Sequence, residues 1–237
     1  TTGFKPLSTA NLPTPTILKP NEHFDVITRS GFDTSGGVIS GLSFQPDFVW
    51  DKSRNNAGSN YLFDSVRGVG KYIHSNSTGV ETTNTNVLSS FNSDGFAMGS
   101  LDWPSSYSVV DWLWKGGNST TTNASGTISS VVSVNQTAGF SIVSYTGDGN
   151  TGATIGHGLG AEPKLILLKT RNRSGENWRI YHTSIPLTNT LYFTTTASQV
   201  DGDRISAISG STFTLSTGAN PINQTPDTYI AYTWSEI

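Results

Sequence analysis

The sequence contains no cysteine, so a disulfide framework is excluded. Charge is also scarce, since Asp, Glu, Lys and Arg make up 13% of the chain. The net charge is −3, and the sequence contains no run of basic residues. Electrostatic capture of nucleic acid or of an anionic membrane is therefore not expected. No segment approaches the roughly 20 apolar residues that a membrane-spanning helix needs, so membrane insertion is not expected either.

Recognisable catalytic and cofactor motifs are missing as well. The four histidines have no metal-ligand spacing among them, and they are His23, His74, His157 and His182. The glycine-rich segment 147–149 is not followed by the Lys-Ser/Thr of a phosphate loop, and no Gly-x-Ser-x-Gly nucleophile elbow occurs. We therefore predict no metal, no cofactor and no enzymatic activity.

One strand pattern is present twice. Residues 41–52 and 158–169 both read Gly-Leu, two residues, a polar residue, Pro, a polar residue, an apolar run and Lys. Proline suits the first residue of a strand because it cannot donate to a ladder. The short apolar run that follows is typical of a strand covered on both faces. We therefore predict that Trp50 and Leu167 belong to the core.

The same offset, within a few positions, relates further segments along the chain, which predicts an internal duplication. The matched pairs are 24–27 with 140–143, 60–63 with 177–180, 95–98 with 212–215, and 109–114 with 229–234. The predicted domains are residues 23–117 and 118–237. Residues 1–22 hold four prolines and are predicted to be an extended connector. Together with the Thr-Thr-Gly start, they suggest a piece of a longer polypeptide.

Short β-branched and aromatic runs separated by turn residues predict an all-β fold of two tandem antiparallel β-sandwich, jelly-roll-like domains. An additional strand is predicted at 127–134. Alternation along 109–114 and 229–234 favours a core face with Trp112 and Trp114 in one domain, and with Tyr232 and Trp234 in the other. The predicted strand centres are Val26, Val38, Val49, Leu62, Tyr72, Leu88, Ala97, Trp112, Ile142, Thr154, Leu167, Ile180, Tyr192, Ile205, Phe213 and Ile230.

Three polar features are interpreted structurally. Asp111 lies in an apolar strand and needs an Arg or Trp N–H partner, which we favour over catalysis. His157 lies in a glycine-rich turn and is predicted to hydrogen-bond that turn. Residues 148–150 and 201–203 have oxygens for calcium, but ordinary hairpin turns explain both segments better.

One loop has the composition of a binding site. Asp102, Trp103 and Tyr107 precede the last strand of the first repeat, where the second repeat has no aromatic residue. An aromatic ring beside a carboxylate and serines is suited to stack on a sugar and to hydrogen-bond its hydroxyls. The alternative, which we favour, is that Trp103 closes the end of the core or packs on the neighbouring domain.

Almost all of the chain after residue 20 resembles a family of duplicated β-domains in structural proteins of tailed bacteriophages, especially cyanophages and other marine phages. The matching stretches are 3–13 (GFKPLSTANLP), 44–50 (FQPDFVW), 62–68 (LFDSVRG), 90–96 (SFNSDGF), 138–143 (AGFSIV) and 156–160 (GHGLG). Residues 112–114 (WLW) depart from the family, in which cysteine often stands between the two tryptophans.

The resemblance implies a virion component that forms the C-terminal part of a fibre, tail or head-appendage protein. It further implies a homotrimer that joins other virion proteins through the N-terminal connector and meets host surface polysaccharide. The family supplies no catalytic residues. Two alternatives are a capsid decoration protein and a carbohydrate-active depolymerase, the latter requiring two carboxylates that face each other across a groove.

Overall fold

The computed structural model describes residues 15–194, 205–216 and 221–237. These residues form an all-β fold, in which every strand ladder is antiparallel and no α-helix occurs within the described ranges. Short 3-10 turns lie at Pro20–Glu22 and Asp33–Ser35. An isolated parallel bridge joins Ile128 to Ile155.

The first half of the chain forms a large and a small sheet. The large sheet has the strand order β1-β9-β3-β4-β5-β6, and the small sheet has the order β2-β8-β7. The strands are β1 (Phe24–Ser30), β2 (Gly37–Ile39), β3 (Phe48–Ser53), β4 (Tyr61–Asp64), β5 (Lys71–His74), β6 (Thr82–Thr83), β7 (Leu88–Asn92), β8 (Gly95–Met98) and β9 (Ser108–Trp114).

The second half is built in the same way. Its large sheet has the order β10-β11-β12-β19-β14-β15-β16, and its small sheet has the order β13-β18-β17. The strands are β10 (Thr121–Asn123), β11 (Ser130–Asn135), β12 (Phe140–Thr146), β13 (Thr154–Gly156), β14 (Pro163–Thr170), β15 (Arg179–His182), β16 (Leu191–Tyr192), β17 (Ile205–Ile208), β18 (Thr212–Leu215) and β19 (Thr228–Ser235).

The predicted strand positions agree with these elements. Every predicted centre lies inside a strand, and β11 occupies the segment predicted as an additional strand. The prediction missed the two short strands β6 and β10, and β10 lies where a domain boundary was expected. The order β1-β9-β3-β4-β5 in one half matches β12-β19-β14-β15-β16 in the other, with β2-β8-β7 matching β13-β18-β17.

Three apolar cores separate the four sheets. The first core lies between the sheets of the first half and includes Val49, Phe63, Leu88, Phe96 and Leu113. The second core lies between the sheets of the second half and includes Val143, Ile155, Ile166, Phe213 and Tyr229. The middle core lies between the two large sheets and includes Phe48, Leu62, Phe140, Leu167, Trp178 and Tyr232. Each large sheet is therefore covered on both faces.

This arrangement gives β9 a core on each face. Burial alternates along the strand, and Val109, Asp111 and Leu113 are fully buried, with Leu113 in the first core. The predicted core face, with Trp112 and Trp114, is half-buried, and Trp114 packs against the middle core. In the second half, Tyr232 of the predicted face is fully buried in the middle core. The prediction therefore found one of two core faces, because a strand between two cores carries apolar residues on both sides.

The two residues predicted as core have different surroundings. Leu167 is buried, with 4% of its surface exposed, and packs in the middle core. Trp50 is only half-buried and packs against the edge of that core. The repeated strand thus lies at the contact of the two large sheets, where one copy is more open to solvent than the other.

The middle core predicts that both halves unfold together. The rings of Phe48 and Tyr232 stack across it with centroids 4.1 Å apart. Phe48→Ala should lower the free energy of unfolding by about 3–5 kcal/mol, because it leaves a cavity in the middle core. Unfolding should remain a single transition, because this cavity lies between the two halves. Urea denaturation followed by circular dichroism measures this change. Leu101→Ala, at a side chain that is 54% exposed, should change it by less than about 0.5 kcal/mol. Two separate transitions, with only one shifted by Phe48→Ala, would contradict the shared core.

Candidate functional site

The loop between β8 and β9 carries the residues predicted as a binding site. The Asp102 side chain is completely buried and forms an ion pair with Arg29, at 2.6 Å from Oδ2 to Nη1. Its Oδ2 atom also accepts a hydrogen bond from the backbone N–H of Phe32 at 2.9 Å. The carboxylate that was expected to face a ligand therefore fixes the loop to the sheet.

Arg29 binds two further carboxylates. Its Nη2 atom lies 2.8 Å from Asp51 Oδ2, and its Nε atom lies 2.8 Å from Asp111 Oδ2. We call Arg29, Asp51, Asp102 and Asp111 the Arg29 cluster. The structure thus gives Asp111 the arginine partner that its position in an apolar strand had predicted.

Strand register brings the cluster together. Asp51 on β3 and Asp111 on β9 are directly opposite each other in the ladder, and β1 lies on the other side of β9. Ile27 pairs with Asp111, so Arg29 is a diagonal neighbour on the same face, within reach of a long side chain. Asp102 then enters from the β8–β9 loop.

Burial dominates the electrostatics of this cluster. It raises the pKa of Asp51 well above the ordinary value, and the negative charge of Asp111 raises it further. Burial also raises the pKa of Asp111, although Arg29 opposes this effect. Burial alone would lower the pKa of Arg29, but the surrounding carboxylates outweigh it and raise that pKa. One guanidinium cannot balance three buried carboxylates, so burial favours a proton shared by Asp51 and Asp111 and keeps it bound to a higher pH than on an ordinary carboxyl.

Trp103 and Tyr107 complete the loop. The Trp103 indole N–H donates to Asp51, and its ring packs edge-on to Tyr61 with centroids 5.5 Å apart. A Cβ atom at Gly58 would lie 2.8 Å from the Trp103 ring, so glycine is needed for this close approach. The Tyr107 hydroxyl accepts a hydrogen bond from Asn56 Nδ2 at 2.9 Å. These contacts are the ones expected if Trp103 packs at the end of the core. A role of Asp102, Trp103 and Tyr107 in binding a ligand stays a prediction.

The cavity beside the loop is small. It has a volume of about 70 Å³ and is lined by the Asp51 and Asp102 carboxyls, the Trp103 ring and apolar side chains of the first core. Small-molecule sites usually measure about 300–1,000 Å³, so a sugar ring does not fit without movement of the loop. Asp51 and Asp111 are 1% and 0% exposed, so this carboxylate pair faces no groove.

The second half has apolar residues in the matching positions. By ladder register, Tyr145 occupies the place of Arg29, Leu168 that of Asp51, and Ala231 that of Asp111. All three are buried in the second core. The same strand arrangement therefore forms without ionic groups, which singles out the Arg29 cluster as a feature that the fold does not require.

A second polar network joins the two halves. Arg67 is fully buried and donates to the carboxylate of Asp64 and to the hydroxyl of Tyr232, which itself donates to Asp64 at 2.7 Å. Arg171 of the second half binds both carboxylate oxygens of Glu81 at 2.9 Å. These bonds close one side of the middle core with charge-assisted pairs.

A groove opens on another side of the middle core. Its volume is about 380 Å³, and every side chain that lines it is apolar. Trp50, Trp114 and Trp234 form much of the wall, together with Leu165, Ile180 and Phe193. We call this feature the aromatic groove. It is several times larger than the cavity at the Asp102 loop.

Two other sequence candidates serve local structure. His157 is fully buried, with Nε2 3.1 Å from the Ser209 carbonyl and Nδ1 accepting from the Leu159 N–H at 3.3 Å. Burial lowers the pKa of His157, which favours the neutral ring that these bonds require. Asp148 Oδ1 accepts from the N–H of Asn150 at 2.9 Å and stabilises a turn. Residues 201–203 lie outside the described residues.

Two further kinds of feature are absent from the described ranges. No helix there is both long and apolar enough to cross a membrane. No group of three or more His, Asp or Glu side chains in the described part of the chain is placed to hold a metal ion.

The fold and the site together define an antiparallel all-β protein with a buried ionic cluster and an open aromatic groove. Residues 19–237 match the model of a family described as a domain of unknown function, DUF7483, and the chain belongs to that family. No curated protein and no solved structure matches the chain.

The Arg29 cluster predicts a specific dependence of stability on pH. The pKa of Asp51 is higher in the folded than in the unfolded state, so its contribution to stability is full below the unfolded pKa and is lost as pH rises through the folded pKa. Asp51→Asn removes this titration and keeps a donor toward Asp111. Urea denaturation from pH 4 to 9 should show the wild type losing stability relative to this variant as pH rises. Asp94→Asn, at an exposed carboxylate, should follow the wild type. Parallel curves for wild type and Asp51→Asn would be evidence against the shared proton.

Arg67 predicts a large loss when its charge is removed. Arg67→Met leaves the Asp64 carboxylate buried without its counter-ion and should cost about 3–5 kcal/mol of unfolding free energy. Lys164→Met is the matched control, because the pair of Lys164 with Glu162 is exposed and should contribute only about 0–1 kcal/mol. Equal effects of the two substitutions would show that the Arg67 network does not stabilise the contact of the halves.

Proposed function

We propose that this chain is a non-enzymatic structural and adhesion module of a virion, in the C-terminal part of a fibre, tail or head-appendage protein. The observation that carries this proposal is the aromatic groove, which is an open apolar surface. The ionic groups of the Arg29 cluster, in contrast, are buried and bind one another. Such surfaces mark contacts with other macromolecules. The sequence resemblance to duplicated β-domains of tailed phages supports the location.

We also propose that the chain consists of two tandem jelly-roll-like sandwich domains, residues 23–117 and 118–237, related by internal duplication. The matching strand orders of the halves support this origin, as do the repeated sequence segments. The middle core is then a domain interface that binds the two units firmly. The proposed connector is residues 1–22, of which 1–14 lie outside the described residues.

The proposed partners are further copies of the chain, as a homotrimer, and virion proteins reached through the connector. Host surface polysaccharide is the proposed target of adhesion, with Asp102, Trp103 and Tyr107 as the candidate contact residues. A capsid decoration protein is the alternative that differs only in its place on the particle. The depolymerase alternative receives no support from the Arg29 cluster, whose carboxylates are buried around a guanidinium.

Polysaccharide retention tests the adhesion proposal. The purified chain is applied to an array of bacterial surface polysaccharides, and the eluate is analysed for released oligosaccharides. We expect retention without cleavage, and weaker retention by Trp103→Ala and Tyr107→Phe than by the control Val38→Ala, whose side chain is 64% exposed on β2, away from this loop. Tyr107→Phe removes only a hydroxyl, so it separates a contact role from a folding defect.

Either of two results would overturn this proposal. Release of oligosaccharides would establish an enzyme. Failure of the wild type to bind any polysaccharide would remove the adhesion role and leave an architectural one.

A further inference from the structure

The aromatic groove is part of a wider apolar face. On the large sheet of the first half, the cross-strand row Val26, Trp112 and Trp50 runs from the edge strand β1 to β3. The next row contains Phe24 and Trp114. Phe24 and Val26 are 39% and 43% exposed, and both tryptophans of the first row are half-buried. The face therefore extends beyond the groove to the sheet edge.

This face is continuous with the contact that holds the two halves together. Trp50, Trp114, Leu165 and Trp234 all pack against the middle core on one side and border the groove on the other. The two large sheets are in contact at the middle core and leave an opening beside it. Within the described part of the chain, the groove is thus an unfilled continuation of an existing sheet-to-sheet interface.

The existing interface pairs corresponding faces of the same fold. Trp114 and Trp234 end matching strands, and their rings meet edge-on with centroids 5.9 Å apart. Each of these rings also packs on the residue opposite in its ladder, Phe24 for Trp114 at 5.0 Å and Phe140 for Trp234 at 5.1 Å. The rest of the contact is not symmetric, because the row of Ile142, Tyr232 and Leu167 is buried in the middle core, whereas the matching row of Val26, Trp112 and Trp50 is half-buried or exposed. The internal contact therefore leaves the first-half row largely uncovered.

The lining decides what class of partner fits. No charged, hydroxyl or amide side chain lines the groove, so a sugar or a polar peptide would find few hydrogen-bond partners there. Tryptophan and phenylalanine are enriched and charges are depleted at the centres of protein interfaces. The edge strand β1 has no second neighbour among the described strands and is seven residues long, so its free edge is open to another chain as well.

We propose that a second copy of this chain covers the aromatic groove and the adjoining Phe24–Val26 surface. The argument is the continuity with an interface in which this face already packs against its own counterpart. The proposal rests on the proposed function, because it names the surface through which the adhesion module associates with itself. It assigns that contact to the large sheets and leaves the Asp102 loop free of it.

Light scattering on wild type and two variants tests the surface. Val26→Glu places a charge on the exposed row, and Val38→Glu places the same charge on β2, where Val38 is 64% exposed on the outer small sheet. The wild type should have a mass of at least two chains of 25.3 kDa each. Val26→Glu should raise the dissociation constant by at least about 10-fold, whereas Val38→Glu should leave it unchanged. Matching thermal melts of the two variants check that the fold is intact.

Three results would overturn the assignment. The first is a wild type that stays monomeric up to about 100 µM, the upper range for a weak specific contact. The second is equal association of Val26→Glu and wild type. The third is a monomer whose tryptophan emission is already that of shielded indoles, which would show that the chain's own residues fill the groove.

The same samples separate this inference from the proposed function. Retention of wild type and Val26→Glu on polysaccharide is measured beside their masses. Retention without self-association through this face would overturn only the surface assignment. Association that Val26→Glu disrupts, with no retention by any variant, would remove the adhesion role and leave the self-association surface in place.

Discussion

The packing of the two large sheets against each other is the constraint on which the rest of the structure depends. It requires the central strands to be apolar on both faces where the sheets meet, which is why β3 and β14 contain the apolar runs 48–50 and 165–168. The stacked rings of Phe48 and Tyr232 lie at its centre, and the buried Arg67 closes its rim by bonding to Asp64 and Tyr232. Because polar and aromatic contacts cross the same boundary, the halves cannot move apart without losing both.

The halves share a strand order but differ in what they bury. In the first half Arg29 and its carboxylates occupy positions that Tyr145, Leu168 and Ala231 fill in the second. Apolar residues are at least as stabilising as ion pairs in such a place, because burying charges carries a desolvation penalty. The distinct effect of the ions is geometric: they bind Asp102 and fix the β8–β9 loop, with Trp103 held by its indole N–H. The cluster therefore specifies the conformation of one loop and contributes less to the stability of the sheet.

The strand positions could be predicted from sequence because each is bounded by residues with a local conformational reason, as at Pro46 and Pro163. The faces could not be assigned, since a strand between two cores has no polar side to mark it. Asp111 signalled the Arg29 cluster by standing in an apolar strand, but Arg29 and Asp102 are far from it in sequence and meet it only through ladder register. Asp51 could also have been recognised as a member of the cluster, because the matching position in the second copy of the repeated strand is the apolar residue Leu168.

The uneven contact of the two large sheets explains why an apolar face remains open among the described residues. The second-half row of Ile142, Tyr232 and Leu167 is buried in the middle core, whereas the matching row of the first half lies at its margin. In the first half the outer row is Val26, Trp112 and Trp50, which is too apolar for a surface exposed to water alone. Charged or hydroxyl side chains at Val26 and Trp112 would be compatible with the fold, since neither residue belongs to the three cores. The proposed contact with a second copy would account for the apolar character of the row, and the internal interface indicates the kind of surface that fits it.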